Sequence, residues 1–404
     1  METKTTVTIQ TRDFQKVLST SAKLINRKNA LPILGCLLLR YDKEKGFSLT
    51  SSNSDAWLTM PVQDMTLLEH TEDGKRKTLT ELAVCLPTTD LQQAVATLPD
   101  MLLTITLTAK DGQSMMQVDY QTGSSAQGGH FSLPTMPADE YPAAPVVDKP
   151  DTQLTQPAAT LLPLVKAASV AVATDELRPV METVAIDINQ NQEEYAVVAS
   201  DGHMMIADRH YEGLGSGFLT GQPDVLKLHK SILGTLQDAF RTAETLTIRA
   251  TPQVIVVTDQ QTTLTLRQTE GRYPNWQSVI PQNQPYRCTL SRQSLMGTVR
   301  RTSLFANDSS NMIRLAFSAA VLTVTAEDYD FSKTARESVA LQDTTVPDGF
   351  QIGLKAATFM EVLSVMKTDN VVLHLSDATR AIIIREEDKN ATITGLCMPM
   401  LLNQ

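Results

Sequence analysis

The chain repeats itself, and the length of the repeat limits what it can fold into. Three helical segments, DFQKVLSTSAKLI, AATLLPLVKAASV and RQSLMGTVRRTSLF, begin near Thr11, Gln156 and Ser291 with apolar residues at helical spacing. Each is followed by an extended apolar stretch (ILGCLLLRY, METVAIDI, NMIRLAFSA) and a strand ending in a polar cluster (FSLTSSNSD, YAVVASDGH, LTVTAEDYD). Second helices start near Pro87, His229 and Lys355, behind the lead-ins AVCLP, DVLKLH and FQIGLK. Alternating strands such as LTIRATPQVIVVTD close each unit. A period this long describes whole domains rather than solenoid units. Proline-rich joints at Pro134–Pro150 and Pro274–Pro285 set the expected domains at 1–149, 150–284 and 285–404. Two helices grouped on one face of antiparallel sheet, three times over, predict an α+β fold.

Composition narrows the function. No run of 18 apolar residues exists and the N-terminus lacks a basic-then-apolar leader, so a cytoplasmic chain with no membrane partner is expected. Cys36, Cys85, Cys288 and Cys397 are scattered without CxxC spacing, which points to buried thiols and to no metal or other cofactor. Six histidines form no HExxH, and there is neither a P-loop nor a dinucleotide fingerprint. The segment Ser200-Asp201-Gly202-His203 holds nucleophile, acid and base types, but neighbours on one strand cannot line up as a catalytic triad. The expectation is a protein that is not an enzyme.

Net charge is −10, which by itself disfavours nucleic acid. The charge is unevenly spread, however. Segment 11–28 carries Arg12, Lys16, Lys23, Arg27 and Lys28 against Asp13 alone. At roughly 100° per residue, Arg12, Lys16, Lys23 and Arg27 fall within an arc of roughly 60°, opposite Phe14, Val17, Leu18, Leu24 and Ile25. Lys230 and Arg241 repeat the pattern opposite Ile232, Leu233 and Leu236, and Arg178 and Arg301 lie in other helical segments. Helices net basic on a chain net acidic elsewhere would attract phosphate to one surface and repel it from the rest.

Four short motifs, Leu31-Pro32-Ile33-Leu34-Gly35, Val198-Ala199-Ser200-Asp201-Gly202-His203, Gly271-Arg272-Tyr273-Pro274 and Met398-Pro399-Met400, stand in order on this repeat. With them the chain resembles, along its whole length, the beta subunits of bacterial DNA polymerase III, the replicative sliding clamps. The resemblance implies a head-to-tail homodimer ring that encircles duplex DNA through sequence-blind phosphate contacts and confers processivity. The basic residues named above would face the DNA. The resemblance also implies that a replicative polymerase, a clamp loader and repair proteins bind through short peptides with a glutamine and apolar anchors. Their pocket would comprise Met181, Ser200, Gly202, His203, Met204, Met205, Pro274, Val279, Thr379, Ala381, Leu396, Met398, Pro399 and Met400. Phe131, Leu304 and Phe305 would centre the subunit interface. The chain departs from the family pattern at Met204 and Ser278, where arginine is common, and in ending Met400-Leu401-Leu402-Asn403-Gln404. The competing readings are a three-domain β-rich binding module and a hydrolase, both unrelated to DNA.

Overall fold

The computed structural model describes residues 2–25, 31–122, 127–189, 194–210 and 225–402. Its helices are α1 (Thr11–Ser21), α2 (Thr88–Ala96), α3 (Ala158–Ala168), α4 (Lys230–Ala239), α5 (Arg292–Ser303) and α6 (Ala356–Val365). The starts agree with the repeat to within two residues. Each helix buries one stripe: Phe14 and Leu18 in α1, Leu91 and Val95 in α2, Leu295 and Val299 in α5, Phe359 and Val362 in α6. Ser291 caps α5 by accepting a hydrogen bond from the Ser294 amide. Among the described residues no helix is long and apolar enough to cross a membrane.

One local plan recurs three times. A leading strand runs into the first helix and pairs antiparallel with the strand that follows the second helix. The pairs are Glu2–Gln10 with Leu102–Lys110, Thr152–Pro157 with Thr245–Ala250, and Tyr286–Ser291 with Asn370–Leu375. One hydrogen bond fastens each corner, from the amides of Thr11, Ala158 and Arg292 to the carbonyls of Met101, Glu244 and Asp369.

Among the described residues the strands form three sheets, of six, nine and twelve strands. The larger two continue across the expected domain boundaries. Ala56–Pro61 pairs antiparallel with Thr263–Arg267, and Met204–His210 pairs antiparallel with Ile393–Cys397. Two compact units result. One takes its described residues from Met1–Ala159 and Ser231–Gln268, the other from Thr160–Ser216, Gly221–Lys230 and Thr269–Gln404. Residues 150–284 are thus shared between them, because the sheets hold their two halves to different neighbours.

The first helix is shorter than the sequence pattern suggested. The α-helix stops at Ser21, a 3-10 turn covers Ala22–Leu24, and Ile25 is already extended. The predicted stripe therefore holds only for Arg12 and Lys16, while Lys23 lies on the tighter turn. Arg27 and Lys28 lie outside the described residues.

Candidate partner groove, helix faces and open strand edges

A sharp turn joins Glu194–Ser200 to Met204–His210. Asp201 Oδ1 accepts the amides of His203 and Met204, each at 2.7 Å, and Ser200 Oγ donates to the Met204 carbonyl at 2.7 Å. Gly202 sits at φ +90°, a conformation that costs a side chain strain. Serine and aspartate are therefore committed to shaping the turn, which removes them as nucleophile and acid. Below the turn lies a core of Met205, Tyr273, Trp276, Ala381 and Leu396. Trp276 Nε1 donates to Asp187 Oδ2 at 2.7 Å, and the Arg209 guanidinium lies 4.8 Å from the indole centroid. Burial pushes the Tyr273 phenol well above its usual range.

The chain end completes the site. The Met398 amide donates to the His203 carbonyl at 2.7 Å, and the Met400 amide donates to the Gly353 carbonyl at 2.8 Å. Gly353 cannot carry a side chain, since a Cβ there would lie 2.7 Å from the Met400 carbonyl oxygen and 2.9 Å from Leu402 Cδ2. The two distant segments that sequence reasoning joined, around His203 and Met400, do meet. Met181, Met204 and Met205 are buried, so they form floor, and Met398, at 43% exposed, is the methionine most open to a ligand. Pro274, Val279 and Thr379 are exposed, and Thr379 Oγ1 donates to Asp377. Arg178 sits at the start of the 3-10 turn Pro179–Glu182 rather than on a helix face. It pairs with Asp175 at 2.9 Å, and its Nη1 is 3.5 Å from where a Gly202 Cβ would be, so it belongs with this groove.

The other basic residues differ in how they are engaged. Lys23 pairs with Asp238, Lys230 with Glu182, and Arg301 with Glu337. Lys230 holds the Glu182 carboxyl below the usual range, with His229 adding to the effect. Arg12 and Lys16 are exposed on α1. Lys16 and Arg241 line one cleft of about 290 Å³, alongside Asp13, Asp64, Asp238 and Asp259.

Phe131 is half-buried on Gln127–Pro134, the outermost strand of the six-stranded sheet, 6.5 Å from the Tyr120 ring. Leu304 and Phe305 are 75% and 42% exposed at the end of α5. Sequence reasoning missed their neighbours. Asn307 donates to Asp328 and Asp330, which brings the turn bearing the exposed Tyr329 and Phe331 beside that helix end. The aromatic pair in AEDYDFSKT was the available signal. Trp276 and Arg209 were also missed, because an indole two residues past Tyr273-Pro274 reads as ordinary core.

Comparison with known proteins fits these features. The family described as DNA polymerase III beta subunit, N-terminal domain, matches residues 5–145, and its C-terminal domain counterpart matches residues 277–401. The beta sliding clamp of Synechocystis is 25% identical, covering 96% of this chain and 97% of its own. That of Pseudomonas putida is 25% identical, covering 98% and 99%. The solved DNA polymerase III subunit beta of Pseudomonas aeruginosa superposes with a TM-score of 0.82 at 22% identity, covering 98% of this chain and 100% of that one. The solved sliding clamp of Bacillus subtilis gives 0.83 at 19%, covering 99% and 100%. With its repeated helix-on-sheet plan and a site built from turn, linker and chain end, the chain belongs to the DNA polymerase III beta subunit family, the bacterial sliding clamps.

Proposed function

We infer that two copies of this chain close head to tail around duplex DNA and carry a replicative polymerase, a clamp loader and repair proteins on their peptide grooves. Strand pairing carries the reading. In the first two repeats, the third strand after the first helix joins the third strand after the second helix of the next repeat. This rule gives Ala56–Pro61 with Thr263–Arg267, and Met204–His210 with Ile393–Cys397. Applied once more, it demands that Lys333–Thr344 join Gln127–Pro134, and in one chain neither does: the former pairs with Val321–Asp328 and Tyr286–Ser291, the latter with Gln113–Thr122. Open edges of this kind invite a second chain, and closure removes them. Phe131 on one edge and Leu304, Phe305, Tyr329 and Phe331 beside the other supply apolar area for the seam.

Under this reading the domains 1–149, 150–284 and 285–404 are the repeat units, and Arg12, Lys16 and Arg241 are the phosphate contacts least committed to pairs within the chain. Lys23, Lys230 and Arg301 exchange a carboxylate for a phosphate. The protein acts in the cytoplasm, where replication proceeds. Loading onto nicked circular DNA tests the encirclement. Salt-resistant retention on the circle, lost when the circle is cut, is expected. Retention that survives linearisation would mean binding by affinity and would sink the ring.

A further inference from the structure

We propose that Asp208, His210 and Tyr195 form a binding site for one divalent manganese or iron ion, at the end of the Met204–His210 strand remote from the peptide groove. The cysteine spacing gave no hint of it, and Asp208-Arg209-His210 is too short a motif to stand out in a sequence. Strand geometry gathers the residues. Asp208 and His210 are two positions apart on one strand, and Tyr195 lies opposite His210 on Glu194–Ser200, so all three share one face. The His210 and Tyr195 rings stack with centroids 5.4 Å apart. Asp208 is 1% exposed, and the residues opposite it on the neighbouring strands, Val197 and Ile393, are buried and apolar. A carboxylate so placed is costly unless a positive charge or a set of donors meets it.

Asp208 Oδ1 and His210 Nε2 are 3.0 Å apart, near enough for a hydrogen bond but not aligned for one. Among the described residues neither atom has a hydrogen-bond partner, and neither has the buried Tyr195 Oη. Protein interiors leave few polar atoms unpartnered, so three on one face call for a common ligand. Burial, and then the charge of Asp208, push the Tyr195 phenol up to about 12, so it would serve as a neutral oxygen donor. The separation selects the ion. Two donors each ~2.1 Å from one cation and 3.0 Å apart subtend about 90°, the edge of an octahedron, whereas tetrahedral zinc would spread them to about 3.4 Å. An imidazole beside two oxygens favours manganese or iron over magnesium or calcium. The side chain of His210 is 23% exposed, which leaves a path for the ion and for water to complete its shell. Among the described residues no third histidine, cysteine, aspartate or glutamate joins the site, so the ion ties one strand to the next and binds moderately.

Manganese(II) titrated into chelator-treated, full-length protein tests the site, with the free ion followed by electron paramagnetic resonance. One ion per chain should bind saturably and raise the thermal midpoint. Tyr195→Phe, which keeps the stacked ring, should weaken binding by about tenfold. Asp208→Asn and His210→Gln should each abolish both the saturable site and the thermal shift. His210→Gln, at the more exposed position, decides the matter if Asp208→Asn fails to fold. Absence of saturable binding by the unaltered protein overturns the proposal and leaves the three atoms to an ordered water or to an imidazolium–carboxylate pair. Saturable binding that survives His210→Gln overturns it as well.

Discussion

The two junctions between repeats are built on one backbone and filled differently. At the first, Ser52 Oγ accepts the Ser54 amide and Asn53 Oδ1 accepts the amides of Asp55 and Ala56. At the second, Ser200 Oγ accepts the Gly202 amide and Asp201 Oδ1 accepts those of His203 and Met204. The incoming strand docks identically, with the Arg267 amide on the Asp55 carbonyl and the Met398 amide on the His203 carbonyl. Tyr141-Pro142 and Tyr273-Pro274 follow in matching places, with both phenols buried. The side chains then diverge. Trp57 fills the first junction, its Nε1 donating to the Pro142 carbonyl at 3.0 Å and Arg267 lying 5.7 Å from its ring. The second has Met205 and Met398 at the corresponding positions. Pairing of neighbouring repeats demands the turn, and the side chains that fill it are free to differ.

The proposed junction between copies lacks a covalent link, so it is the one most easily broken. Leu304→Asp with Phe305→Asp places two carboxylates in the proposed seam, each costing several kcal/mol if desolvated without a partner. At about 1.4 kcal/mol per tenfold, dimer affinity should fall by more than about a thousandfold, and equilibrium sedimentation should show monomers at micromolar concentration. Dimers persisting there would place the seam elsewhere. The two junctions within the chain should keep their fold, since both side chains are exposed in the single copy.

Next in size is removal of residues 400–404. Among the described residues the cost to the fold is one amide bond to Gly353 and the partial burial of Met400 and Leu402. Peptide affinity should drop at least about fiftyfold, as expected where a few apolar contacts dominate. Replacing Arg267, which stands at the Met398 position of the junction that Trp57 occupies, should leave peptide binding unchanged. If both alterations weaken binding equally, the peptide does not distinguish the two junctions.

These junctions also show what could be read ahead of the structure. Helix starts were legible because amphipathic spacing and lead-in strands are local. The segments around His203 and Met400 could be joined only through the family resemblance, since alternation reveals a strand without revealing its partner. The pairing of Ala56–Pro61 with Thr263–Arg267, some two hundred positions apart, was likewise silent. Lys23 was misjudged because extending 100° per residue past Ser21 assumes a helix that has ended. Arg178 was placed in a helical segment, but α3 ends at Ala168 and Arg178 precedes a separate 3-10 turn opened by Pro179.

A smaller effect separates the two tryptophans, the only two in the chain. Trp57→Phe and Trp276→Phe each delete one indole donor. The first loses a neutral bond to Pro142, worth about 1 kcal/mol, and the second a bond to the Asp187 carboxylate, worth about 2 kcal/mol. Trp276→Phe alone should weaken the peptide, by about threefold to tenfold, because its ring underlies Met205 and Leu396. The remaining tryptophan in each variant reports separately on its own junction, so peptide should change the fluorescence of Trp57→Phe and leave that of Trp276→Phe flat. The reverse pattern would assign the ligand to the first junction.

The smallest effect concerns the turn itself and should differ in sign between junctions. Ser54 and Gly202 hold equivalent places at φ +76° and +90°. Serine there carries strain of about 1 kcal/mol, which glycine avoids. Gly202→Ala adds that strain and stiffens the unfolded chain in return, leaving a net loss of about 0 to 0.5 kcal/mol, since the added Cβ would meet only Arg178 Nη1, at an ordinary 3.5 Å. Ser54→Gly relieves strain but frees the unfolded chain, and the two nearly cancel, leaving a gain of about 0 to 0.5 kcal/mol. Urea midpoints measured at unchanged slope distinguish the cases. Peptide affinity supplies the sharper reading, because His203 and Met204 hang from the Gly202 turn. Gly202→Ala should cost a few-fold in affinity while Ser54→Gly costs none. Equal loss of stability from both changes would mean that Ser54 is not strained and that the two turns, despite matching hydrogen bonds, are not equivalent.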